Sequence, residues 1–179
     1  VDGTWFLPGD PRDPRAEYMN ARIPGAIFFD IDEVADTTSH LPHMLPSPEK
    51  FASRMRKAGI GDGAQIVVYD AHGLFSAARV WWTFRVMGFD DVVVLDGGLP
   101  AWREAGYPIE DGPPAMRTDR HLTARYRADL VAGRHVEGRG HGWMRLVVRV
   151  VQRHERVGEA TGQPLVLRGY ARAARGQQA

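Results

Sequence analysis

The sequence predicts an α/β fold built on a mainly parallel sheet, and three observations predict it. Residues 65–102 (QIVVYDAHGLFSAARVWWTFRVMGFDDVVVLDGGLPAW) run from an apolar β-branched strand pattern through a polar, Gly-containing loop to a helical pattern stopped by Gly88. A second apolar run, Val92 to Leu95, and the turn Asp96-Gly97-Gly98 complete a βαβ unit with a right-handed crossover. Two further short apolar runs, Val1 to Phe6 and Ala26 to Phe29, each end in a polar turn, as strands of such a sheet do.

The elements follow in order from local signals. Val1 to Phe6 is a first strand closed by Leu7-Pro8-Gly9-Asp10, and Asp13-Pro14 caps a short helix to about Ala21. Ile23-Pro24-Gly25 breaks it before the run Ala26 to Phe29 and the sequence Asp30-Ile31-Asp32-Glu33. Residues 36–48 form a loop rich in proline and hydroxyls. Ser47-Pro48 then starts a helix with Phe51, Met55 and Ala58 on one side and Gly59 as its stop. In the crossover helix Ala77, Val80, Trp81, Phe84 and Met87 share a core-facing stripe. After a helix from Leu99 to Ala105, Pro108, Gly112, Pro113 and Pro114 give linker chemistry, so the domain is expected to end near Asp111.

At 179 residues and 44% hydrophobic content the chain holds one ordinary core with something appended. No run approaches the roughly 18 apolar residues that a bilayer span requires, so the chain reads as soluble and cytoplasmic, without a membrane partner. Beginning at Val1-Asp2-Gly3 inside a strand, it is expected to be trimmed at its front. The absence of cysteine excludes disulfides, thiolate metal sites and a cysteine nucleophile. Charge is uneven: of 23 Lys+Arg and 22 Asp+Glu, residues 134–179 hold 9 and 3, leaving the first 133 residues acidic.

The loop at the carboxyl end of the Ile66 strand is where an open α/β sheet places its chemistry, and a helix amino terminus there offers N–H groups to an anion. Asp70 stands at that point. A thiol would be activated there, whereas a carboxylate fills the cradle itself or caps the turn, so Asp70 reads as a plug rather than a reagent. His72 could serve as a base but has no nucleophile to deprotonate. Asp30 and Asp32, after an apolar strand, resemble the nucleophile motif of the haloacid-dehalogenase-like phosphatases, which would imply Mg²⁺ and a carboxylate attack on phosphorus. The plainer reading is preferred: Asp32 caps a helical turn and Asp30 solvates the strand end, with Lys50 and Lys57 on a solvated face. His40 and His43 have no third ligand at metal spacing and read as solvated loop histidines, so no metal site and no cofactor are expected. Of Arg79 and Arg85, at least one is expected to pair with an acid of the same domain.

Tyr18 to Asp32 (YMNARIPGAIFFDID), Met44-Leu45-Pro46, Val67 to Asp70 (VVYD), Arg79 to Val86 (RVWWTFRV) and Val94 to Trp102 (VLDGGLPAW) resemble the amino-terminal half of the tandem-rhodanese sulfurtransferases. That family comprises thiosulfate sulfurtransferase and 3-mercaptopyruvate sulfurtransferase. The resemblance covers residues 1 to about 130 and implies a three-layer α/β/α rhodanese-like domain of the non-catalytic type, 1–111, with an interdomain-type linker, 112–133. It also implies an intramolecular partner, a second rhodanese domain, whose cysteine takes sulfur from thiosulfate or 3-mercaptopyruvate and passes it to cyanide or a thiol. By the same resemblance Asp70 occupies the nucleophile position of a first module, no residue here is catalytic, and this chain alone is inactive. Arg22 departs from the His that the family usually places before Ile-Pro-Gly, which loosens packing arguments there.

Residues 134–179 lack Asp, Lys and Cys and are dominated by Arg, Gly, Val and Ala. They read as a frameshifted remnant of the second module. The other reading is a true basic extension with an element at Leu146 to Val151. Without interleaved aromatics a nucleic-acid partner is not expected. A non-enzymatic binding module remains the third reading of the whole chain.

Overall fold

The computed structural model describes residues 1–131, and its compact unit runs Val1–Val131. The expectations for residues 134–179, including Leu146 to Val151, lie outside the described residues.

Strand β1 (Ile66–Val68) pairs in parallel with β2 (Val92–Val94), Ile66 opposite Val92. On the other side of β1 the first residues of the chain are inserted: Asp2 bridges in parallel to Tyr69 and to Phe28. Gly3 N donates to Tyr69 O, and Phe29 N donates to Asp2 O. The sheet is therefore parallel, as the βαβ pattern predicts, with residues 1–3 central rather than at an edge.

Helix α1 (Pro14–Asn20) begins where Asp13 accepts from Ala16 N, and α3 (Pro48–Lys57), the third helix in chain order, begins where Ser47 accepts from Lys50 N. Between them lies the single turn α2 (Ile31–Val34). Helix α4 (Ala77–Val86) packs on β1 and β2, with Trp81 Nε1 donating to Val92 O, and Val80, Phe84 and Val86 are fully buried. Phe84 meets Phe51 of α3 edge-on at 5.2 Å and also touches Phe29 and Phe89. Burying such side chains contributes about 1.5–3 kcal/mol each. Helix α5 (Gly98–Glu104) closes the unit with Trp102 buried on Tyr107.

The stretch that reads as linker packs on the domain. Residues 117–127 run as a strap without helix or strand and lead into a single 3-10 turn, Ala128–Leu130: Arg120 N donates to Arg56 O, Arg125 N to Met87 O and Arg127 N to Val86 O. Arg56 donates through Nε and Nη2 to Leu122 O, Trp82 donates to Leu130 O, and Leu122 is fully buried. Gly88 lets the strap pass, because a Cβ there would stand 2.9 Å from Arg125 O and the residue lies at φ +94°.

Arg22, where the resembling family usually has His, has defined packing partners. It is fully buried, stacked on Tyr18 at 4.8 Å, ion-paired with Glu110, and hydrogen-bonded to Gly112 O at 2.6 Å. Glu110 also accepts from Gly25 N, and hydrogen bonds together with the nearby Arg22 and Arg117 charges keep its carboxyl below the usual glutamate range. The guanidinium's length explains the difference, since it spans from the helix end to residues 110–112.

Leu122→Ala is expected to cost about 2–5 kcal/mol, read as a lowered urea midpoint, whereas Met116→Ala, on a fully exposed side chain of the same stretch, leaves the midpoint unchanged.

Candidate functional site

The loop from Asp70 to Ser76 joins β1 to α4, and its shape is set by one carboxylate. Asp70 Oδ1 accepts from His72 N at 2.9 Å, and Oδ2 accepts from Phe75 N at 2.7 Å and Ala77 N at 2.8 Å. Asp70 is fully buried. These N–H groups converge as they would on a bound anion, and the side chain occupies their focus. The Asp70 carbonyl accepts from Leu99 N, and Gly98 makes that approach possible, because a Cβ there would stand 2.5 Å from Asp70 O.

A second network fixes the loop from the sheet side. Thr4 Oγ1 accepts from Ala71 N at 3.0 Å and donates to Asp2 Oδ1 at 2.5 Å, while Thr4 N donates to the same oxygen. Burial pushes the Asp2 carboxyl above the usual carboxylate range, and the Thr4 hydrogen bonds oppose it. Burial, reinforced by Asp2, likewise pushes the neighbouring Tyr69 phenol up.

With the carboxylate turned inward, the loop's aromatic and apolar side chains face outward. Leu74 and Phe75 are about half exposed and Leu7 is 62% exposed. Trp5 stacks on Phe75 at 6.4 Å, and His72 meets both Phe6 and Phe75 edge-on. His72 is thus one wall of an aromatic cluster.

Beside this cluster sits a histidine–carboxylate pair that the sequence reading did not identify. His43 Nδ1 lies 2.9 Å from Asp32 Oδ1, at ion-pair distance but without the alignment of a hydrogen bond. Trp5 Nε1 donates to Asp32 Oδ2 at 3.1 Å, and the His43 ring stands edge-on to Trp5 at 5.0 Å. The roles expected of the two aspartates are exchanged. Asp30 is the cap, accepting from Glu33 N and lying 3.6 Å from Arg15, while Asp32 reaches Trp5 and His43. Neither is turned toward a shared ligand position with a lysine, and Lys50 donates to Ala35 O and Thr37. Arg85 pairs with Asp90 as expected, whereas Arg79 donates to His43 O. Among the described residues no three His, Cys, Asp or Glu side chains converge to hold a metal ion. No described helix is long and apolar enough to cross a membrane. No local period links Asp32 to His43 or Arg22 to Glu110, so spacing carried no signal for either pair.

Residues 10–105 match the family described as Rhodanese-like domain. The chain is 52% identical over 110 residues to thiosulfate/3-mercaptopyruvate sulfurtransferase 1, mitochondrial, of Arabidopsis thaliana, covering 62% of this chain and 29% of that protein. It is 46% identical over 132 residues to 3-mercaptopyruvate sulfurtransferase of Homo sapiens, covering 73% of this chain and 43% of that one. Among solved structures, the 3-mercaptopyruvate sulfotransferase SseA of Escherichia coli superposes with a TM-score of 0.71 at 40% identity, covering 74% of this chain and 51% of that chain. The chain thus spans less than half the length of both sulfurtransferases matched by sequence.

Asp70→Ala removes the acceptor of three N–H groups and is expected to cost about 3 kcal/mol, with part of the loss in thermal midpoint returned by added formate. For Asp2, the raised carboxyl keeps its proton in the folded state at pH values where the unfolded chain has lost it. Its contribution is therefore complete below the usual carboxylate range and is lost as pH rises through the folded value. Asp2→Asn is accordingly expected to gain stability relative to the parent between pH 4 and pH 7, measured by denaturant melts at the two values.

Proposed function

This chain belongs to the rhodanese-like domain family, and from that premise we propose that it is the amino-terminal, non-catalytic module of a thiosulfate/3-mercaptopyruvate sulfurtransferase. The observation that carries the reading is the Asp70 loop: a set of converging N–H groups suited to a thiolate or persulfide, filled by an internal carboxylate in a chain without cysteine. Sulfane-sulfur transfer needs a nucleophilic thiolate, so the module works only with a second rhodanese domain that supplies it. The partner's donors are thiosulfate or 3-mercaptopyruvate, and its acceptors are cyanide or thiols. The exposed Leu7, Leu74 and Phe75, with the half-buried Trp5 stacked on Phe75, support an interface at this end of the sheet, since an apolar centre with a charged rim of Asp10, Arg12 and Asp32 is the make-up of a docking face.

Two measurements test this. The purified chain is expected to form no thiocyanate from cyanide with thiosulfate or 3-mercaptopyruvate, and turnover at an enzymatic rate overturns the proposal. Asp70→Cys is expected to give a thiol that reacts with iodoacetamide well below the ordinary cysteine pKa of about 8.5. A rate profile centred at the ordinary value means the loop is not a vacated nucleophile cradle.

A further inference from the structure

Arg79 is an α4 residue with a task outside its helix. Its side chain is half-buried, burial lowers its pKa, and among the described residues no carboxylate lies within ion-pair distance of it. It stacks over Trp82 at 4.8 Å and donates through Nη2 to the carbonyl of His43. Burying a cation without a counter-charge is costly, and an apolar side chain of the same length would pack on Trp82 without that cost. What only the cation supplies is a charged donor at the His43 carbonyl.

His43 is the residue that needs such a hold. It is the non-glycine residue at positive φ among those described, at +54°, a conformation that disfavours a Cβ. Its ring position depends on that backbone, because Nδ1 meets Asp32 and the ring edge meets Trp5. The neighbouring residue is tied as well, Asp36 N donating to Met44 O. The cavity that Arg79 lines with Met44, Pro46 and Thr83 has a volume of about 10 Å³, enough for about one water and too small for a substrate anion. Arg79 therefore does not bind a ligand there.

From the contact to the His43 carbonyl and the left-handed backbone it fixes, we infer that Arg79 is a positioning residue: it clamps the loop of residues 36–46 so that the His43 ring is presented on Asp32 and Trp5, beside the aromatic face of the Asp70 loop. The inference rests on the proposed function and deepens it by naming what holds the histidine–carboxylate contact beside the proposed docking face. Its readouts involve no sulfur chemistry, so either reading can fail while the other stands.

The test is proton and nitrogen NMR on the full chain. The parent is expected to show the strong intraresidue HN–Hα cross-peak of a left-handed residue at His43 and ring cross-peaks between His43 and Trp5. Arg79→Met should lose both, while the amide signals of Ile66 to Val68 keep their positions. Arg79→Gln, neutral and two bonds shorter, should lose them equally and serves where the methionine variant does not fold. Arg79→Lys, which restores a charged donor, should recover part of the His43–Trp5 intensity. Arg56→Met, which removes a cation that binds a backbone carbonyl away from this loop, should leave both signals unchanged. Retention of the parental His43 signals in a folded Arg79→Met or Arg79→Gln variant overturns the inference, as does their loss in a folded Arg56→Met variant.

Discussion

The carboxylate of Asp70 gathers three main-chain N–H groups from the loop that follows it, and the end of the sheet where it lies is arranged around that closure. A loop that curls its N–H groups inward needs an anion at the focus, supplied by a ligand, a thiolate or the chain itself. Here the chain supplies it. With the polar groups satisfied internally, the side chains at Leu74 and Phe75 are left to face solvent, so the same interaction that closes the cradle also creates the exposed aromatic face.

The cradle is held from several directions by groups far apart in sequence. Residues 1–4 enter the middle of the sheet and hand Thr4 to the loop through Ala71 N. Gly98 lets the following helix approach closely enough for Leu99 N to reach the Asp70 carbonyl. At the edge, Arg22 and Glu110 tie the turn at residues 22–25 to the residues after α5, and the strap over Gly88 buries Leu122. Each tie fixes backbone that would otherwise remain free, so their stability contributions depend on one another rather than adding independently.

Beside the filled cradle stands a loop of a different kind. Its geometry rests on a left-handed histidine whose carbonyl is bound by Arg79 and whose ring lies against Asp32 and Trp5. The module thus brings a histidine–carboxylate contact and an aromatic face to the carboxyl end of a parallel sheet, where α/β domains concentrate their chemistry, in a chain without cysteine.

What the sequence by itself determined is what a few adjacent residues decide. Asp13-Pro14 and Ser47-Pro48 start helices because a side-chain oxygen reaches an N–H three residues on, and the apolar runs at Ile66 and Val92 flank a helix whose length requires a parallel crossover. The zero cysteine count and the place of Asp70 after its strand were equally legible. The tertiary structure alone decided the rest. Asp30 and Asp32 stand two residues apart at one helix start, and only the positions of Trp5, Arg15 and His43 made the first a cap and the second a histidine's partner. Arg22 offered no packing partner in the sequence because its carboxylate lies 88 residues away, and the contacts of residues 117–131 could not be read there because their partners, from Arg56 to Met87, belong to other elements. Caps and periods are written within one turn of chain, whereas an ion pair or a strap forms only when the fold brings distant residues within a few ångströms.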